Sequence, residues 1–206
     1  MRRIVVTNHV TLDGVMQAPA SPDEDTRDDF AYGGWAVPYG DSVMAEVMAR
    51  GMAASREGEG ALLFGRHTYE RFFEVWPKRT DGNPFTPVLN RTRKYVASTT
   101  LREPLPWENS TLLSGDAAGA VAALKAQPGA DIGILGSGAL IQSLMRRGLI
   151  DEFLLTIHPL VLGSGRGLFE AGGAPANFEL VESIPTTTGV VIARYRTLAG
   201  VPQPAA

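Results

Sequence analysis

The chain has 206 residues, of which 44% are hydrophobic and 20% charged, a balance that suits one globular domain with a sizeable core. A formal net charge of −3 argues against the basic surface that nucleic-acid binding needs, and the absence of cysteine excludes a disulfide framework, a thiolate nucleophile and a cysteine-based zinc site. Arg2-Arg3 precede only a short apolar segment, Ile4 to Val6, so the expectation is a cytoplasmic protein with neither signal peptide nor membrane span.

The first predicted element is a strand from Arg3 to Val10, rich in β-branched residues and closed by the turn dipeptide Asp13-Gly14. From Pro19 to Asp29 the chain is dense in proline and aspartate without periodicity, which reads as a surface loop or lid. Asp41 is placed to cap a helix running to about Ala54, whose Val43, Met44, Val47, Met48 and Met52 recur at helical spacing and form a stripe expected to be buried. Ala61 to Phe64 reads as a strand, His67 to Phe73 as a short helix, Trp76-Pro77 to Pro87 as a loop, and Tyr95 to Ser98 as the next strand. Then come an alanine-rich helix from Asp116 to Ala126, a strand from Ile132 to Leu135, and a helix from Ala139 to Arg147 that Gly148 ends.

After Asp151 the pattern changes. Glu152 to Leu162, Phe178 to Ile184 and Val190 to Thr197 read as strands without intervening helices, which predicts antiparallel pairing. The sequence therefore predicts an α/β fold spanning residues 1–200: a mixed, mostly parallel sheet flanked by helices, closed by a C-terminal antiparallel hairpin, with an unstructured end over 201–206.

Two junctions carry the chemistry. Ala61-Leu62-Leu63-Phe64 stops at Gly65 and Ile132-Gly133-Ile134-Leu135 stops at Gly136, and in each case a helical pattern takes over. A buried strand that passes through a glycine turn into a helix aims backbone N–H groups and the positive end of the helix dipole at one spot, which suits phosphate. The second junction lacks the dinucleotide-binding fingerprint of a doubly wound fold, since its sixth position is Ile141 rather than glycine. The histidines His9, His67 and His158 are scattered, and His67 with Glu70 makes no credible metal site. His158, preceding a proline in a strand, reads as a satisfied, half-buried residue.

Leu12-Asp13-Gly14, Gly65-Arg66-x-Thr68-Tyr69-Glu70, Lys94-Tyr95-Val96-Ala97-Ser98, Leu135-Gly136-Ser137-Gly138 and His158-Pro159-Leu160-Val161-Leu162-Gly163-x-Gly165 occur in one order. That order resembles the dihydrofolate-reductase-like superfamily, and within it the branch similar to the C-terminal reductase domain of bacterial riboflavin-biosynthesis (RibD-type) proteins. The resemblance implies NADPH as cofactor. It puts Arg66, with His67 and Thr68 beside it, and the hydroxyls of Ser98 and Thr99 at the 2′-phosphate, and Leu135-Gly136-Ser137-Gly138 with Ala139 and Leu140 at the pyrophosphate. It puts Asp13-Gly14 in the loop flanking the nicotinamide, with Gly163-Ser164-Gly165-Arg166 as the later loop that packs against it. Dihydrofolate reductases carry paired glycines joined by a cis peptide where this chain has Gly136-Ser137.

The implied activity is hydride transfer to a C=N or C=O of a small heterocycle of pyrimidine or pterin type. Trp35, Tyr39 and Trp76 are the expected substrate-stacking residues, and a homodimer is the expected assembly. No catalytic residue is assigned: Asp28, Asp29, Asp41 and Glu46 are the nearby acids, none aligns with the family's proton-donating carboxylate, and water is the other source. The alternative reading is a non-catalytic NADPH-binding or regulatory homodimer.

Overall fold

The computed structural model describes residues 1–57 and 60–200. Its strands are β1 (Ile4–Thr11), β2 (Ala61–Gly65), β3 (Arg93–Ala97), β4 (Ser110–Leu113), β5 (Ile132–Leu135), β6 (Glu152–His158), β7 (Asn177–Pro185) and β8 (Val191–Leu198). Its α-helices are α1 (Ser42–Glu57), α2 (Arg66–Val75), α3 (Phe85–Arg91), α4 (Ala117–Ala126) and α5 (Gly138–Met145). The strands form one 8-stranded sheet in the order β4-β3-β2-β5-β1-β6-β8-β7. From β4 to β6 all neighbours are parallel, while β8 is antiparallel to both β6 and β7, so the mixed sheet and the C-terminal hairpin are as the sequence predicts.

Strand alternation sorts the side chains into two layers. On one face Ile4, Val6, Ile132, Ile134 and Leu63 are fully buried beneath α4 and α5, which contribute Val121, Ile141 and Leu144. Each such aliphatic side chain removed from water stabilises the fold by about 1.5–3 kcal/mol before entropy is counted. On the other face α2 and α3 cover Phe64 and Val96 with Tyr69 and Leu89, and α1 covers Val190 and Ile192 with Met44. The Asp41 carboxylate caps α1, accepting the Met44 N–H at 2.8 Å, and ties it to the hairpin by accepting the N–H and hydroxyl of Thr187. Near the β4 edge Lys94 is fully buried, its Nζ donating to the carbonyls of Asn90, Thr92 and Glu108 above the Trp107 ring. Burial pushes its ammonium down to about 8.

Four local expectations need correction. The loop expected from Trp76 to Pro87 contains the start of α3: Pro84 is its N-cap residue and Pro87 lies in its first turn, where no intrahelical N–H bond is required. β4 has no counterpart among the predicted strands, being a four-residue edge strand with weak patterning. β6 ends at His158 instead of Leu162, because Pro159 cannot donate to the ladder. In the α1 stripe Met44 is buried but Met48 is 41% exposed; the side chain of Met52 and the end from 201 to 206 lie outside the described residues.

Candidate functional site

The chain leaves β2 toward β3 on one side of the sheet and leaves β5 toward β6 on the other, although β2 and β5 are neighbours. This is a topological switch point, where diverging connections open a crevice outside the carboxyl ends of the strands. Both glycine junctions lie there, and they are bonded to each other. The Gly65 N–H donates to Ser137 Oγ at 3.0 Å, and the Ser137 N–H donates to Thr68 Oγ1 at 3.0 Å. Asn8 of β1 completes the lock through its amide, accepting the Gly136 N–H at 2.8 Å and donating to the Gly136 carbonyl at 3.2 Å. Sequence reasoning does not single out Asn8; a buried asparagine within a β-branched run is the available signal.

The turn is left-handed at Gly136 (φ 58) and again at Ser137 (φ 61), joined without a cis peptide. Two amides expected to face a ligand, those of Gly136 and Ser137, are thus occupied inside the protein, as is the Thr68 hydroxyl. The first helical bond of α5 is Ile141 N–H to the Ser137 carbonyl. The amides of Gly138, Ala139 and Leu140 are therefore the donors that a helix start leaves over. Ala139 is exposed, Gly138 half-buried and Leu140 buried.

Gly65 pairs with Ala97, so Arg66 and Ser98 are neighbours at the carboxyl edge of the sheet. The Arg66 guanidinium meets Glu70 at 3.1 Å and His67 Nε2 at 3.2 Å, and with 37% of its side chain exposed its ion pair is a surface one, worth at most about 1 kcal/mol. Ser98 Oγ accepts the N–H groups of Thr100 and Leu101, and Thr99 is exposed. The His67 imidazole is held below its ordinary range by partial burial and then by the charges of Arg27 and Arg66, which places the long loop close to the start of α2.

Two further loops close the crevice from the β1 side. The Asp13 carboxylate accepts the Thr11 hydroxyl and the N–H groups of Leu162 and Gly163, and these bonds hold it below the usual carboxylate range. Val15 bridges to Gly167, Met16 N–H donates to the Arg166 carbonyl, and Leu168 N–H to the Gly14 carbonyl. The Asp13-Gly14 turn is thereby fastened to the 163–166 loop, as the resemblance implies. Buried Gln17 organises the long loop by donating to the Asp25 and Arg27 carbonyls and accepting the Arg166 N–H.

On the face carrying α1 and α2, the central strands are only half covered. Val5, Thr7 and His9 of β1, Gly133 and Leu135 of β5 and Leu62 of β2 are intermediate in burial, where a parallel sheet ordinarily buries its central strands on both faces. Gly133 lowers the floor of this cleft by omitting a side chain opposite Val5 and Leu62.

The aromatic candidates separate. Trp35, only 7% exposed, donates its indole N–H to the Gln17 carbonyl at 2.7 Å and stands edge-on to His158 with ring centres 5.1 Å apart. Tyr39 meets the same imidazole at 5.4 Å, whereas Trp76 packs elsewhere, against Phe72 and Phe85. His158 itself corrects the sequence reading: it is fully buried, its Nε2 lies 2.9 Å from His9 Nδ1, and its Nδ1 has no partner. Burial holds His158 down to about 4, with the neighbouring His9 adding to the effect, and burial holds His9 at about 4 as well. Both rings are therefore neutral at neutral pH. Of the acids, Asp28 pairs with Arg166, Asp41 caps α1, and Asp29 and Glu46 are exposed. Among the described residues no cluster of His, Asp and Glu could hold a metal ion, and no helix is long and apolar enough to cross a membrane.

The family model described as the RibD C-terminal domain matches residues 2–192. The uncharacterized protein YyaP of Bacillus subtilis is 28% identical over 194 residues, covering 92% of each chain. Among solved structures, a putative riboflavin biosynthesis protein from Shewanella superposes with a TM-score of 0.64 at 20% identity, covering 95% of this chain and 99% of that one. A pyrimidine reductase-like protein from Corynebacterium diphtheriae gives 0.64 at 13% identity, covering 97% and 93%. The dihydrofolate reductase of Enterococcus faecalis, complexed with NADP(H), gives 0.55 at 12% identity, covering 95% and 96%. These likenesses fix the fold as dihydrofolate-reductase-like.

Proposed function

The chain belongs to the RibD C-terminal domain family, and from that premise we propose that it is an NADPH-dependent reductase acting on a C=N or C=O of a small heterocycle of pyrimidine or pterin type. One observation carries the reading: the Gly65 and Gly136-Ser137-Gly138 turns meet at the topological switch point and are locked together by Ser137 and Thr68. In this reading the start of α5 meets the pyrophosphate and, one strand away, Arg66 with Ser98 meets the ribose 2′-phosphate, which the adjacency of the two strand ends supports. The residues suit such a cofactor, because the Arg66 fork is engaged by an exposed carboxylate and the neighbouring His67 ring, surface contacts that a phosphate dianion can displace. When bound, NADPH supplies the hydride. The protein's part is to hold the acceptor in the half-open cleft floored by Thr7, Gly133 and Leu135, with the Asp13 and 163–166 loops excluding water. The proposed assembly is a homodimer in the cytoplasm.

The test is a titration of the purified protein with NADPH and NADH, repeated on Arg66→Ala. A charge-assisted contact is worth about 1.5–3 kcal/mol, so the variant is expected to bind NADPH about tenfold or more weakly while its NADH affinity stays the same. Failure of the unaltered protein to bind either dinucleotide would refute the proposal.

A further inference from the structure

Of the four acids near the first loop, Asp28 is paired with Arg166, Asp41 caps α1, and Asp29 and Glu46 are exposed. The structure does offer an imidazole. His9 and Thr7 share the cleft face of β1, and the register that sets Thr11 opposite His158 brings the second histidine to the same face of β6. His9 is half-buried and its Nδ1 bonds His158 Nε2, which leaves Nε2 as the ring nitrogen of His9 with no hydrogen-bond partner among the described residues. His158 is closed in by His9, Trp35 and Tyr39.

We propose that His9 and His158 are a tautomer-locked pair whose His9 Nε2–H is the cleft's hydrogen-bond donor to the carbonyl oxygen or imine nitrogen of the heterocycle being reduced; this rests on the reductase reading above. Hydrogen-bond accounting selects the tautomers. A single proton occupies the bond between the rings, and His158 Nδ1 is buried without a partner. If that nitrogen carried a proton, a buried N–H would be orphaned, which native structures tolerate less than an under-used acceptor. The proton on His158 is therefore on Nε2, directed at His9 Nδ1. With Nδ1 accepting, neutral His9 carries its own proton on Nε2 and aims it at the cleft.

The chemistry follows. Reduction adds a hydride, supplied by the dihydronicotinamide of the proposed cofactor, to the acceptor carbon. The π electron pair moves to oxygen or nitrogen, and water supplies the proton that this atom takes up. The His9 Nε2–H opposes the negative charge growing there without giving up its proton, and the donor is pre-aligned by a ring that cannot turn without breaking its bond to His158. His158 acts through His9 and is a positioning residue.

The primary test needs neither substrate nor cofactor. In protein labelled with nitrogen-15 at histidine, at pH 7, His9 Nε2 and His158 Nε2 are expected to show protonated-type shifts and both Nδ1 atoms lone-pair-type shifts; His158→Phe should release His9 into a mixture of tautomers. A lone-pair-type or cationic Nε2 on His9 in the unaltered protein overturns the proposal. A kinetic arm follows NADPH oxidation with 7,8-dihydrofolate, 7,8-dihydropterin and 5-amino-6-ribosylaminouracil phosphate. With any acceptor that turns over, His9→Leu is expected to lose about 100-fold in kcat with an unchanged NADPH Kd, and His9→Gln, which keeps a donor, to recover part of it. Equal kcat in His9→Leu overturns the role of His9. Absence of turnover with all three acceptors, despite NADPH binding, overturns the acceptor class assigned here. Absence of NADPH binding refutes the reductase reading, and the nitrogen shifts then decide whether the pair is locked.

Discussion

Ser137 joins the two glycine turns while occupying a left-handed conformation (φ 61, ψ 39), and these two properties can be separated by substitution. Ser137→Ala deletes the oxygen that accepts the Gly65 N–H at 3.0 Å and that donates to the Leu135 carbonyl at 3.2 Å. Leaving the Gly65 N–H without a partner costs about 1–3 kcal/mol. Ser137→Gly loses the same bonds but removes the penalty of about 1–2 kcal/mol that a side chain suffers in this conformation. Against that, glycine gives the unfolded chain freedom worth about 0.4–1 kcal/mol. Both variants are thus expected to be less stable than the parent in urea unfolding followed by circular dichroism, with Ser137→Gly above Ser137→Ala by about 0.5–1 kcal/mol. Parent-like stability in Ser137→Ala would show that the tether carries nothing. An alanine variant more stable than the glycine variant would show that the turn is not left-handed in solution.

Other perturbations give equally definite outcomes. At Gly165 a Cβ would stand 2.6 Å from Phe30 and 2.8 Å from Val15, at φ +115, so Gly165→Ala should cost about 2 kcal/mol or more in the same urea assay; an unchanged midpoint refutes the packing argument. Asp13→Asn places an amide N–H₂ among donors and should speed hydrogen exchange at the Leu162 and Gly163 amides, whereas unaltered exchange would deny the carboxylate its role as a clasp. Because His9 and His158 are held near 4 against an ordinary value of 6.5, the native state binds fewer protons than the unfolded state between those limits. Their contribution to stability is complete above pH 6.5 and is lost as the pH falls toward 4, at about 1.4 kcal/mol per pH unit for each titrating ring. His158→Phe should flatten that slope, and an identical slope in the variant would contradict the assignment.

Much of this architecture is written locally in the chain. The strands β2 and β5 are legible because each is a short apolar run stopped by glycine, and α1 because Asp41 precedes a stripe of 3.6-residue period. The helix α3 is hidden because Pro84 and Pro87 argue for a loop unless they fall in a first turn, which depends on where the helix begins. The His9–His158 pair is hidden for a different reason. The residues are 149 positions apart, and only the β1–β6 register brings them together. Asn8 is a similar case: its partner at Gly136 lies beyond the end of another strand, so no local pattern announces the bond. Glycine turns are readable because backbone conformation is a property of the residue itself, while polar pairs across a sheet are properties of the topology.

The edge-on contact between Trp35 and His158 has an optical consequence. An imidazolium quenches indole emission and a neutral imidazole does so far less, so Trp35 reports the charge of a ring whose centre lies 5.1 Å from its own. Trp76 and Trp107 belong to the cluster around Phe64 and Phe72, apart from both histidines, and serve as an internal reference in the same spectrum. The protein thus carries a built-in gauge of its imidazole pair, readable by steady-state fluorescence at micromolar concentration without any label.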